Sequence, residues 1–266
     1  MRFKVVMAGR DCFRFVSRSL ESVAAQHDPA FDVCVIDDAS TDPRQPEFMQ
    51  DFCRRASWHF ISNDTHRGAL FNHVAAVTAM SPEPDDVIVS VDADDRLNGP
   101  NALGIVRAYY ERYQPLLTYG SYRPDPDDWR VTPALDFPQN VILDNSYRAF
   151  SARDENGEDP IWFNHLRTVK QSVFELLDPA KDFTHPDESW FLTCYDLAIT
   201  IPALELAGGR HLKLPDVLYL YTRDNPRSDC YIHEHLISRD KARIFSLAPK
   251  EPLDDIVVPP RLDLVH

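Results

Sequence analysis

Nowhere in the 266 residues do eighteen apolar residues run together, so no segment reads as a transmembrane helix. The opening Met1-Arg2-Phe3-Lys4-Val5-Val6-Met7 turns polar too early for a signal peptide and reads as a first strand, so a cytoplasmic location is expected. Positive charge is scarce. Lys and Arg number 28 against 42 Asp and Glu, a formal charge of -14, which disfavours sequence-independent binding to nucleic acid or anionic lipid but leaves room for a local basic groove. No CxxC pair occurs among Cys12, Cys34, Cys53, Cys194 and Cys230, so zinc and redox motifs lack support and free thiols are expected. Internal repeats and low-complexity stretches are absent as well. What remains is an ordinary globular composition, 44% hydrophobic and 26% charged, long enough for one large α/β domain.

The first hundred residues alternate strand and helix signals. Apolar runs at Phe3 to Ala8, Val33 to Ile36, Trp58 to Ile61 and Val87 to Val91 predict strands. Helical spacing in Phe13, Val16, Leu20 and Val23, in Leu70, Val74 and Val77, and in Leu103, Val106 and Tyr110 predicts the helices between them, the last with Pro100 at its first turn. Such alternation implies right-handed βαβ units and a mostly parallel sheet, with ligands bound beyond the carboxyl ends of its strands. Two of those ends carry acids: Asp37-Asp38-Ala39-Ser40-Thr41-Asp42 and Asp92-Ala93-Asp94-Asp95.

Three carboxylates within four residues repel one another, and a divalent cation relieves that repulsion. Hard oxygen ligands suit Mg²⁺ or Mn²⁺. The bland alternative is an acidic turn that caps the next helix. Asp37 to Asp42 is read in the same two ways, as a turn cluster or as an acceptor for a base or a ribose.

Further along, Leu116 to Tyr119 predicts another strand, Tyr122 to Gln139 a long surface loop, Ile161 to Leu177 a segment containing His165-Leu166-Arg167-Thr168 and a helical run, and Leu214 to Tyr221 a strand. Trp190 to Leu206 reads as a buried helix with one acid, Asp196, and with Pro202 as a point of interruption. An acid among Leu192, Leu197, Ile199 and Ile201 is expected to be buried, with its pKa raised. His165 and Arg167 offer a hydrogen-bond donor and a cation. Arg223, Arg227, His233 and His235 lie in a late segment, 221–235, that reads as a basic loop able to close over an anionic ligand, with His233 available to complete a metal shell. Trp129 and Trp162 are candidates for stacking on a sugar ring.

Taken together, Phe3 to Ala8, Leu20 to Gln26, Val33 to Asp42, Asn63 to Asn72 with Arg67-Gly68, and Val89 to Asp95 resemble the opening of a family 2 glycosyltransferase. The likeness is dense over residues 3–97 and thinner through His165-Leu166-Arg167-Thr168 and Tyr195-Asp196. It departs after the first strand, where Ala8-Gly9-Arg10-Asp11 replaces the family's usual Pro and Tyr-Asn. The resemblance implies an α/β, GT-A nucleotide-diphospho-sugar transferase fold, a nucleotide-sugar donor (UDP-linked) and a divalent metal, Mn²⁺ or Mg²⁺. It implies Ala8 and Asp38 at the nucleotide, Arg67 near the phosphates, Asp92 and Asp94 as the DXD acids serving ribose and metal, Asp95 as an adjoining metal ligand, and Asp196 as catalytic base. Asp187 and Glu188 stand next in line for that role. The expected organisation is a donor half at 1–100, an acceptor and catalytic half at 101–248, and a Pro-rich tail at 249–266.

Glycosyl transfer must stabilise a departing diphosphate and deprotonate an acceptor hydroxyl. A metal and one positioned carboxylate do both, and one displacement inverts the anomeric carbon. The acceptor is expected to be a glycan, a lipid-linked sugar or another hydroxyl compound, with nucleic acid disfavoured by charge. Two competing readings are a non-catalytic sugar-nucleotide or glycan-binding module, and a phosphatase of the haloacid dehalogenase type, suggested by Asp92-x-Asp94 after a strand.

Overall fold

The computed structural model describes residues 1–126, 130–152, 162–227 and 229–262. One eight-stranded sheet organises the chain: β1 (Phe3–Gly9), β2 (Phe31–Asp37), β3 (His59–Ser62), β4 (Val87–Asp92), β5 (Arg96–Leu97), β6 (Leu117–Asp125), β7 (Asn164–Lys170) and β8 (His211–Thr222), in the order β3-β2-β1-β4-β7-β6-β8-β5. Six helices of at least twelve residues cover it: α1 (Phe13–Ala24), α2 (Arg44–Ala56), α3 (Ala69–Met80), α4 (Ala102–Tyr113), α5 (Tyr195–Ala207) and α6 (Glu234–Ser246).

Strand alternation explains the layering, because successive side chains point to opposite faces. Val5, Met7, Val33, Val35, Val89 and Val91 join a core with Val16, Leu20, Met49 and Leu103 from α1, α2 and α4. Val6, Cys34, Ile36 and Ile88 join a second core with Leu70 and Ala76 from α3 and Ile201 and Leu204 from α5. Every residue of α5 from Leu197 to Ala207 is buried, as an all-round apolar helix requires.

Register then sets the sheet's carboxyl edge. β1 pairs in parallel with β2 and β4, so Gly9 lies beside Asp37, and Ala8 beside both Ile36 and Asp92. A side chain at Gly9 would meet Ala93 Cβ at 2.6 Å and Cys12 Sγ at 2.8 Å, so glycine permits the strand end and the acidic turn to close up. Four of the seven strand pairings are parallel. The three antiparallel ones involve β7 and β5. β7 runs back along β4 with Ser90 opposite Arg167, which brings the start of β7, at His165, to the end of β4.

Several expectations need correction. The run from Ile161 contains strand β7, which was not assigned as a strand because its buried polar residues, His165, Arg167 and Thr168, obscure the period. The predicted loop at 122–139 begins as strand β6, and Ala134 and Phe137 within it are buried, so only part of it runs over the surface. The helix read from Trp190 starts at Tyr195, after Cys194 in a left-handed conformation (φ 57°), and it continues through Pro202 without interruption. Helix α2 was not assigned from sequence, although Phe48, Met49, Phe52 and Cys53 form an apolar stripe that packs on the core. The described part of the Pro-rich tail is strapped down. Leu253 N–H donates to Leu206 O and Val257 N–H to Gly208 O, and a Cβ at Gly209 (φ 85°) would fall 1.7 Å from Val257 O. Cys12, Cys34, Cys53 and Cys194 are free thiols, as expected.

Candidate active site at the carboxyl edge of the sheet

A cavity of about 330 Å³ opens where β1 and β4 end. Ala8 and Gly9 reach it from β1, Asp92, Asp94 and Asp95 from β4 and its turn, His165 and Arg167 from β7, and Tyr195 and Asp196 from the first turn of α5. The loop before α5 forms one wall. It is held by buried Asp240 of α6, whose Oδ2 accepts from Leu192 N–H (3.1 Å), Thr193 N–H (2.9 Å) and Thr193 Oγ1 (2.8 Å), and whose Oδ1 lies 2.8 Å from His185 Nε2.

The acids differ in their partners. Asp92 Oδ1 accepts from the Tyr195 hydroxyl at 2.7 Å, and that hydroxyl accepts from Arg167 at 2.8 Å. Asp94 Oδ2 accepts from Asn225 Nδ2 at 2.7 Å, which ties the acid turn to the segment after β8. Asp95 is 1% exposed, and its Oδ1 accepts from Thr222 N–H at 2.7 Å while its Oδ2 has no hydrogen-bond partner. Burial and the neighbouring Asp94 push Asp92 up to about 6, against the pull of Arg167 and Tyr195. Burial likewise raises Asp94, and burial with Asp94 and Asp92 raises Asp95 well above the usual carboxylate range.

His165 is buried, and burial with the nearby Arg167 pushes its pKa well down, so the ring is neutral. It stacks on Tyr219 at 4.3 Å, and its Nδ1 has no hydrogen-bond partner. One ligand atom each from Asp92, Asp95 and His165 lie within 4.8 Å of one another. Two carboxylates and an imidazole, with two buried polar atoms left unpaired, are a donor set that fits a divalent cation.

Asp196 departs from expectation. Leu197, Ile199 and Ile201 turn into the core, but the Asp196 side chain is 25% exposed and its Oδ2 lies 3.7 Å from Arg167 Nη1. It is therefore a paired acid facing the cavity, not an isolated charge in an apolar interior. Arg167 feels burial acting against its charge, yet Tyr195, Asp196 and Asp92 outweigh it and raise its pKa.

Other expected residues lie elsewhere. Asp38 is 3% exposed, and its carboxylate accepts from Asn63 Nδ2 and from the Arg67 and Gly68 N–H groups, all within 2.9 Å. Asp37 likewise accepts from Ser40 and Gln45, so both acids shape the turns around the strand end. Arg67 is exposed, with its guanidinium 5.3 Å from the Phe71 ring, and is not among the cavity-lining residues. His233 stacks on His66 at 5.3 Å and is not part of the Asp92–Asp95–His165 group. Asp187 and Glu188 are exposed, and Asp187 is bonded to Ser189. Trp162 packs against Phe137 and Phe150, and Trp129 lies outside the described residues. Sequence reasoning overlooked Tyr195, Tyr219 and Asn225 as site residues. Tyr195 directly precedes Asp196 on the first turn of α5, which is the one signal that points to it.

The sequence profile described as Glycosyl transferase family 2 matches residues 5–177. No curated protein matches the chain in sequence. Among solved structures, S. aureus TarS shares the fold at 17% identity with a TM-score of 0.60, covering 94% of this chain and 41% of TarS. TarS residues 1–349 in complex with UDP-GlcNAc align at 14% identity and TM-score 0.59, covering 94% of this chain and 68% of that one. The mannosyltransferase PcManGT from Pyrobaculum calidifontis, in complex with GDP-Man and Mn²⁺, aligns at 16% identity and TM-score 0.58, covering 90% of this chain and 62% of that one. The chain thus spans under half of TarS and under two thirds of the mannosyltransferase. At these identities the likeness is one of fold. Among the described residues no helix is long and apolar enough to cross a membrane.

Proposed function

The chain belongs to glycosyl transferase family 2, and from that premise we propose that it moves a sugar from a UDP-linked donor to an acceptor hydroxyl by a single, inverting displacement. The observation that carries the reading is the meeting, in one cavity, of the β4 acids with a lone further acid, Asp196, on a separate element. A divalent metal, Mn²⁺ or Mg²⁺, would be held by the β4 acids Asp92, Asp94 and Asp95. When bound it supplies positive charge against the leaving diphosphate. TarS with UDP-GlcNAc and the mannosyltransferase with GDP-Man and Mn²⁺ offer the same ligand classes on the same fold.

Asp196 takes the acceptor's proton. Arg167 at 3.7 Å orients its carboxylate. One base and no second carboxylate placed as nucleophile suit inversion. Ala8, at the strand end beside Asp92, leaves room for the nucleotide. Asp38 serves the donor indirectly, by fixing the 63–68 segment beside the strand end. The acceptor is a hydroxyl compound such as a glycan or a lipid-linked sugar.

Thermal unfolding with UDP, GDP, ADP and CDP, each with and without Mn²⁺, tests the donor. At a hundred times its Kd the right nucleotide adds about 2.7 kcal/mol, a rise of roughly 5–11 °C. UDP with Mn²⁺ is expected to give that rise. A chain that no nucleoside diphosphate stabilises, with or without metal, refutes the reading.

A further inference from the structure

Two buried polar atoms in the cavity floor have no partner: Asp95 Oδ2 and His165 Nδ1. Leaving such atoms unpaired is costly, and native interiors rarely do it. Their two residues, with Asp92, form a group in which one ligand atom from each lies within 4.8 Å of the others. They come from two strands, and antiparallel register is what brings the start of β7 against the end of β4.

The histidine is also held in place. Its ring lies flat on Tyr219, 4.3 Å between centroids and 16° between planes, with Tyr122 edge-on at 6.2 Å. The Tyr219 hydroxyl accepts the Asp92 N–H at 3.0 Å, so the aromatic shelf under His165 is fixed to the acid turn itself. Asp95 is anchored through its other oxygen by Thr222. A fixed, buried imidazole with an unpartnered ring nitrogen beside two carboxylates is placed to ligate a cation.

We infer that His165 is a ligand of the divalent metal, in a mixed oxygen–nitrogen shell with Asp92 and Asp95, and that this nitrogen makes the site prefer Mn²⁺ to Mg²⁺. The inference rests on the metal-dependent reading above and extends it to a residue outside the acid turn. Magnesium favours oxygen donors and sheds water reluctantly, whereas imidazole is a good ligand for transition metals. An all-carboxylate shell would lack that discrimination.

The test uses the full chain loaded with Mn²⁺ alone and reads the electron spin echo envelope modulation of the bound ion. Coupling to a directly bonded imidazole ¹⁴N is expected, replaced by the ¹⁵N pattern when the protein is labelled with ¹⁵N-histidine. In His165→Gln the coupling should vanish, Mn²⁺ affinity should fall at least ~10-fold and Mg²⁺ affinity should stay within ~2-fold; His233→Ala should retain the coupling. Bound Mn²⁺ with oxygen ligands only overturns the inference and leaves the metal-dependent reading standing. Absence of any bound Mn²⁺ removes both. Coupling kept in His165→Gln, or lost in His233→Ala, also overturns it. Should His165→Gln fail to fold, the wild-type and His233→Ala spectra with labelled histidine still decide, because His165 is the one histidine in the acid group among the described residues.

Discussion

Asp196→Asn keeps the side chain's shape and removes its charge and basicity. The structure separates the two consequences. The lost ion pair is long, 3.7 Å, and its acid is a quarter exposed, so its contribution to stability is below ~1 kcal/mol. Arg167 retains its bond to the Tyr195 hydroxyl at 2.8 Å. Thermal unfolding should therefore move by no more than about 2–4 °C. Removing a general base costs roughly 10²–10⁴ in rate, or about 3–5 kcal/mol of barrier, several times the stability term. Nucleotide release at saturating donor, acceptor and Mn²⁺ gives the rate, and a thermal scan of the same sample gives the folded fraction. The expected result is a turnover loss of at least 100-fold at nearly unchanged stability and donor affinity. Turnover within about threefold of wild type refutes the assignment. It would also leave no substitute base in the cavity wall, since the other acids lining it are the three at the end of β4, and Asp187 and Glu188 are exposed away from it.

Tyr195→Phe removes the hydroxyl that joins Arg167 to Asp92, leaving two charged groups short of a partner. A loss of about 1–3 kcal/mol in urea unfolding is expected, and a loss under ~0.5 kcal/mol would show that the bridge is not used. Gly209→Ala places a methyl against Val257 O and should free the tail. Amide exchange at Leu253 and Val257 should accelerate at least ~10-fold, and unchanged exchange would refute the strap. Burial pushes His211 down to about 3, so the unfolded chain takes up a proton near pH 6.5 that the folded ring refuses. Stability is full above that pH and falls as pH drops from 6.5 towards 3, by up to ~1.4 kcal/mol per pH unit. His211→Gln should flatten urea-midpoint curves between pH 7 and 5 by that amount, and parallel curves would contradict it.

The first hundred residues were legible because their physics is local. β1, β2 and β4 are apolar runs buried on both faces, and α1 and α3 show their stripes, so the chain announced the strand ends and the acids on them. β7 was not legible. Its inward residues include His165, Arg167 and Thr168, whose burial is made tolerable by groups far away in sequence, such as Tyr195 and Tyr219. A periodicity search counts such residues as exposed. Asp196 lines the cavity, but its surroundings were misread, because apolar neighbours along a helix point in other directions from the residue between them. The doubled acids Asp37 and Asp38 read as turn residues or ligands in sequence, and the structure adds that both accept hydrogen bonds from the turns beside them. Those bonds draw on backbone N–H groups, which a sequence does not display.

In formal charge the cavity is balanced: Asp92, Asp94, Asp95 and Asp196 stand against Arg10, Arg167, Arg227 and Lys241 among the residues lining it. The formal charge of -14 is therefore carried outside. A nucleotide diphosphate meets repulsion during its approach and cations only on arrival. At 0.01 M ionic strength the protein's field reaches about 30 Å into solution, and at 0.15 M about 8 Å. Added salt should thus quicken the encounter with an anionic donor, the reverse of the usual electrostatic steering, while affinity is decided by short contacts that salt screens far less.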